Sequence, residues 1–125
     1  EPNNYLSPQS DAPGRTPGDG RVNGHIIGSQ FRGDGRRVNL VALQRKTNAP
    51  IMSRVEADVA NMVREHGDVL YQVNPIYVGN SNIPAAVHLQ AVSEGDRVDQ
   101  CILNFDSGDG RSDKSLSGEV CRQMN

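Results

Sequence analysis

Residues 38–67 read VNLVALQRKTNAPIMSRVEADVANMVREHG, and the rest of the chain is arranged around them. Residues 38–43 form a short apolar, β-prone run. Asn48 is a favoured N-cap residue, and Pro50 follows in the first turn, where proline is tolerated. Ile51, Met52, Val55, Val59, Met62 and Val63 then recur at helical spacing. Gly67 is suited to the C′ position, with Arg64 and His66 near the negative end of the helix dipole. The stretch therefore predicts a strand followed by the chain's one convincing helix, opening at Asn48.

Upstream, residues 21–27 (RVNGHII) predict a second short strand, joined to residues 38–43 by the loop 28–37. Downstream, three β-prone runs at 69–78, 85–92 and 97–105 are separated by turn clusters at 79–84 and 93–96, the pattern of an antiparallel meander. The expected class is α+β: a short hairpin plus one helix, then a meander. Residues 1–19 have the Pro, Asn, Ser and Gly content of an arm or linker, pinned at most at Tyr5 and Leu6. Residues 107–125 return to polar loop composition. The tetrapeptide Gly-Asp-Gly-Arg occurs at 18–21, 33–36 and 108–111. Its uneven intervals exclude a solenoid, and each copy predicts a tight turn with glycine at positive φ.

The chain has 125 residues, 35% of them hydrophobic and 4% aromatic, which suits one small aliphatic core. No run approaches the roughly 20 apolar residues of a spanning helix. A coiled coil and a collagen are excluded as well, and a start at Glu1 suggests a mature form or an excised domain. Net charge is −2, but residues 15–54 hold eight bases against two acids, so this segment is +6 and the remainder −8. Eleven of the thirteen bases are Arg, which favours bidentate phosphate or carboxylate contacts. Such a segment suits a phosphate-bearing ligand; a solvated basic face is the plain alternative. Cys101 and Cys121 match no metal spacing, and either one bridge or two free thiols fits them.

Of three histidines, His66 at a helix end and His88 inside a β run read as structural or surface groups. His25 follows Gly24 at the end of a strand in the basic segment. Beyond it come Asn39-Leu40-Val41, then Asn48 nine residues after Asn39, then Glu56 eight residues after Asn48. This series resembles the DNA/RNA non-specific endonuclease family, whose core is the ββα-metal (His-Me finger) motif. Tyr77-Val78-Gly79-Asn80-Ser81 ahead of Pro84 resembles the family's smaller bacterial branch, found as toxin tips.

The resemblance implies a nuclease domain over 20–106, between the flexible arm 1–19 and the polar C-terminal extension 107–125. It implies His25 as general base, Asn48 as protein ligand of Mg²⁺ or another divalent cation such as Mn²⁺, and Glu56 as acceptor for the ion's waters. Asn39 and Asn23 are supporting residues. Many family members carry Asp-Arg-Gly-His, where this chain has Val22-Asn23-Gly24-His25, so the phosphate-binding Arg must come from elsewhere: Arg21, Arg36, Arg37 and Arg54 are candidates. A family Arg four residues after the helix Glu is Ala60 here, and Leu43 stands near the place of a usual Pro.

The chemistry fits these residues independently. Histidine's reference pKa of ~6.5 suits a base near neutral pH, and an amide oxygen is an acceptable ligand for a hard cation. On a continuous helix Glu56 would sit about 80° past two full turns from Asn48. Asn48 cannot both cap the helix fully and bind a cation through one oxygen, and an ordinary surface Glu56 paired with Arg54 or Arg64 is the plain alternative. The implied activity is sequence-non-specific hydrolysis of DNA or RNA through backbone contacts. The implied setting is the toxin domain of a secreted bacterial effector, acting in the target cell's cytoplasm, with a cognate immunity protein. A catalytically weak or inactive nucleic-acid-binding or interaction module on the same fold is the second reading.

Overall fold

The computed structural model describes residues 12–15, 18–25 and 40–124, with His25 described by its backbone alone. Strands β1 (Arg21–His25) and β2 (Leu40–Gln44) pair antiparallel, with Gly24 opposite Val41 and His25 opposite Leu40. A kinked helical stretch, Thr47–Met52, leads into helix α1 (Ser53–His66). Then come β3 (Leu70–Ile76), β4 (Ala86–Ser93) and β5 (Asp96–Leu103), followed by a 3₁₀ turn at Arg111–Asp113, β6 (Leu116–Ser117) and helix α2 (Gly118–Arg122). The larger sheet runs β3-β4-β5-β6, antiparallel throughout. The predicted α+β class and meander are therefore observed, and β6 adds a fourth strand.

Alternation along the strands divides the core in two. Val73, Val87, Leu89 and Ile102 meet Ile51, Met52 and Val55 of the helical segment, together with Val41 and Leu43 of β2. On the opposite sheet face, Ile76, Ala86, Cys101 and Leu103 meet Cys121 of α2. Helix α1 covers one face of the sheet and α2 part of the other.

The helix does not open at Asn48. Ala49 is extended (φ −152°, ψ 131°), and the Ala49–Pro50 peptide is cis. The residue before a proline is driven from the α region by the proline ring, so regular helix begins only beyond Pro50. The angular offset between Asn48 and Glu56 expected for a continuous helix consequently does not apply.

The small hairpin is fastened to the large sheet by one buried side chain. Asn104, 4% exposed, donates from Nδ2 to the carbonyls of Ala42 (2.9 Å) and Pro84 (2.8 Å), and its Oδ1 accepts from the Gln44 N–H (2.8 Å). Buried Thr47 adds a bond from Oγ1 to the Leu103 carbonyl (3.0 Å). Both residues answer backbone groups that the kink and the strand end leave without ladder partners.

Two stretches of loop-like composition also carry structure. Ala12 is buried against Leu40 and Ala42, and its N–H donates to Asn23 Oδ1 (2.8 Å). Tyr5 and Leu6 lie outside the described residues. At the other end, the polar composition of 107–124 conceals β6 and α2, held by a Cys101–Cys121 disulfide. Closing a loop of 20 residues in the unfolded chain stabilises the fold by about 3 kcal/mol. Beside it Arg122 grips both oxygens of Asp99 (3.2 and 2.9 Å), and His88 Nε2 meets Asp99 Oδ1 (2.7 Å). Arg122, then His88, holds the Asp99 carboxyl below the usual carboxylate range. Gly118 is required here, because a Cβ would lie 1.9 Å from Asp99 Oδ1. His88, 6% exposed, is thus a structural histidine.

The two described Gly-Asp-Gly-Arg copies are the same turn. Gly18 and Gly20, like Gly108 and Gly110, have positive φ, and each Asp accepts from the following Arg N–H (Arg21 to Asp19, 2.9 Å; Arg111 to Asp109, 3.0 Å). The copy at 33–36 lies outside the described residues.

Replacing Asn104 with Ala strands one N–H and two carbonyls in the interior, at ~1–3 kcal/mol for each group that water cannot reach. We expect Asn104→Ala to lose on the order of 3 kcal/mol in urea denaturation. A loss below about 1 kcal/mol would show that the hairpin docks by apolar contact alone.

Candidate active site

The structure brings Asn48 to the strand that carries His25. A Cβ on Gly24 would come within 2.2 Å of Leu43 Cδ1 and 3.1 Å of Asn48 Oδ1. The Asn48 carboxamide therefore lies against the bare backbone of Gly24, one residue from His25. This is the physical reason for glycine before the histidine: any side chain there would displace both Leu43 and Asn48.

Asn48 does not cap the helix. No side chain caps the start of either helical segment, and among the described residues the Asn48 side chain makes no hydrogen bond, while its backbone carbonyl accepts from Ser53 Oγ (3.2 Å). The conflict between capping and cation binding is removed by the extended Ala49, which takes Asn48 out of the helix. Its half-buried carboxamide oxygen remains available as a ligand.

Glu56 lies in the first turn of α1, at the border of the apolar stripe, and is half-buried. Desolvation alone raises its pKa to about 7. It forms no ion pair among the described residues. Arg64 instead donates to Asn61 Oδ1, and Arg54 lies roughly 160° around the helix from Glu56. Its charge reaches Tyr71 of β3, whose phenol is pushed up by burial first and by the charge of Glu56 second. Tyr71 did not stand out in the sequence. The alternation that puts Val73 on the α1 face puts Tyr71 there as well.

The other candidates are dispersed. Asn23 holds Ala12, and Arg21 pairs with Asp19 (3.8 Å) while its carbonyl accepts from Arg15 Nε (2.9 Å). Both residues anchor the N-terminal segment to β1. Arg54 lines a groove with Gln100 and Lys114, on the flank of α1 away from Glu56. Asn39, Arg36 and Arg37 lie outside the described residues, although Asn39 immediately precedes the partner of His25 in the β1–β2 register. Glu65, His66 and Asp96 place ligand atoms within 4.8 Å of one another, all on exposed residues. That cluster is roughly 14 Å along α1 from Glu56, so it is separate from the Gly24–Asn48 seat.

A family model described as DNA/RNA non-specific endonuclease matches residues 3–95, which include β1, β2, α1, β3 and β4. The chain belongs to the DNA/RNA non-specific endonuclease family. Among solved structures it resembles that of the Sda1 nuclease with bound zinc ion, at a TM-score of 0.61 and 24% identity. The likeness covers 78% of this chain and 46% of that one, so this chain spans less than half the length of that nuclease. At this identity the likeness establishes the fold: hairpin, helix and antiparallel sheet, the ββα-metal architecture. No curated protein gives a significant match. Within the family match lie both the glycine seat and the Asn48–Glu56 segment. The strand, helix and disulfide half-cystine from Leu116 to Arg122 fall beyond it.

Glu56 makes a pH prediction with a definite sign. Its carboxyl titrates near 4.5 when unfolded and about 7 when folded, so between these values the folded state holds the extra proton. Its contribution to stability therefore declines as pH rises from about 4.5 to about 7. Urea midpoints measured across that range should fall in the wild type and fall less in Glu56→Gln. Equal slopes in the two proteins would mean that Glu56 is ordinarily solvated.

Proposed function

We propose that this chain is a divalent-metal-dependent, sequence-non-specific nuclease acting on the phosphodiester backbone of DNA, RNA or both. The observation that carries the reading is the seating of Asn48 on Gly24 beside His25, within the span of the family match. His25 acts as the general base, drawing the proton from the attacking water, a task that histidine's reference pKa of ~6.5 suits. Asn48, through its carboxamide oxygen, and Glu56, through waters, would hold the ion. The donor set fits: an amide oxygen free of capping, and a half-buried carboxyl with no ion pair among the described residues, suit a hard hydrated ion such as Mg²⁺ or Mn²⁺. When bound, such an ion neutralises charge on the scissile phosphate and the leaving oxygen. The zinc bound by the Sda1 nuclease supports a divalent cation in general.

Aromatics for base stacking are scarce, which supports contact with backbone and tolerance of sequence. For the biological setting we infer the toxin domain of a secreted bacterial effector, working in the target cell's cytoplasm and countered by an immunity protein. The Cys101–Cys121 disulfide supports passage through an oxidising compartment. No helix of the described residues is long and apolar enough to cross a membrane.

Incubation with plasmid and with RNA, in Mg²⁺ and in EDTA, tests the activity. We expect cleavage only with the metal, and a loss of ~10²-fold or more in His25→Ala. Calorimetric titration with Mg²⁺ or Mn²⁺ should show one site, weakened in Asn48→Ala. Cleavage in EDTA, or wild-type cleavage by His25→Ala, contradicts the reading. Salt-dependent binding without cleavage would mark the inactive binding module instead.

A further inference from the structure

The flank of α1 turned away from Glu56 carries a groove of its own. Arg54 and Lys114 line it with Asp58, Gln100 and Ser115, over a floor of Ile51 and Val55. Arg54 and Lys114 are exposed, and neither makes an ion pair among the described residues. By contrast Lys46 is tied to Asp113 (2.7 Å), and Arg122 to Asp99 and Glu119 (2.9 Å each). Asp58 sits four residues after Arg54, on the same flank of α1, yet the two side chains stay apart. Ser115 Oγ donates to Gln100 Oε1, and the Gln100 N–H₂ has no acceptor among the described residues. The groove thus offers two cations without an ion pair among the described residues and an amide donor, with Asp58 as the one carboxylate in its lining.

We propose that this groove binds the phosphate backbone of the nucleic acid, at a position remote from the phosphate being cleaved. The placement rests on the nuclease reading above; the ligand chemistry does not. The two flanks of a helix lie about 10 Å apart with side chains included, roughly three base steps at ~3.4 Å each. Arg54 therefore cannot share a phosphate with the Asn48–Glu56 side, but a strand crossing the first turns of α1 reaches both. In this arrangement Arg54 and Lys114 position the polymer, and Asp58 limits how tightly it is held.

The test is a salt titration of binding, in EDTA so that no cleavage is required. The probes are a 20-base-pair DNA duplex and the RNA duplex of the same sequence. For the DNA duplex, Arg54→Ala/Lys114→Ala should reduce the slope of log K against log salt by about 1.8, and weaken binding at 0.1 M salt at least about tenfold. Asp58→Asn should tighten binding to the preferred probe. Arg64→Ala/Arg97→Ala removes the same net charge from exposed sites near the far end of α1, and should leave the slope unchanged. Urea midpoints confirm that each variant is folded.

The proposal is overturned by a wild-type slope in Arg54→Ala/Lys114→Ala, by an equal fall in the control pair, or by no salt-dependent binding of either probe. If the slope falls as expected while the wild type cuts nothing in Mg²⁺, the groove stands and the nuclease reading fails. Metal-dependent cleavage with an unchanged slope gives the opposite result.

Discussion

Asn104 joins the two halves of this protein. Its amide bridges the carbonyls of Ala42 and Pro84 while its oxygen takes the N–H of Gln44, so one side chain binds β2 to the end of the large sheet. A two-stranded hairpin is marginal in water by itself and needs a packed face to persist. Here that face is supplied by the kinked segment, α1 and the inner face of β3–β5, and Asn104 with Thr47 adds the buried hydrogen bonds. Because Gly24 belongs to this hairpin and Asn48 to the segment that follows it, the same bonds determine how the two approach. The candidate site is in this sense a consequence of polar satisfaction in the core.

The approach to α1 gains its character from a break in regular structure. Ala49, extended ahead of Pro50, removes Asn48 from the helix and turns its carboxamide toward the strand. The helix itself then separates charge. Glu56 lies half-buried on one border, desolvated and titrating near neutrality, while Arg54 lies on the other border over an open groove. A single helix thereby carries a half-buried acid on one side and an exposed base over an open groove on the other.

The C-terminal segment closes the sheet's second face with very little apolar material. Helix α2 is five residues long, and it is held by a disulfide, by the Arg122–Asp99–His88 cluster and by the close approach that Gly118 permits. Small cores commonly need such covalent and polar fastening because their buried area alone is marginal.

Local chemistry made much of this legible in the sequence. The meander follows from β-prone runs and turn clusters, and the Gly-Asp-Gly-Arg turns from glycine's positive φ and the Asp side chain. The His25–Asn39–Asn48–Glu56 intervals pointed to the family that the match over residues 3–95 establishes. Other features required the assembled chain. Asn48 reads as an N-cap until the pre-proline constraint is weighed against helix propensity, and that balance moved the helix start to Ser53. The state of Cys101 and Cys121 depends on a separation of 5.5 Å between Cα atoms that only the docking of α2 creates. Asn104 looks like any polar residue at a strand end, because its three partners come from positions 20, 60 and 62 residues away. Hydrogen bonds over such distances leave no periodic trace in a sequence, and they become visible only when the backbone groups they satisfy are brought together.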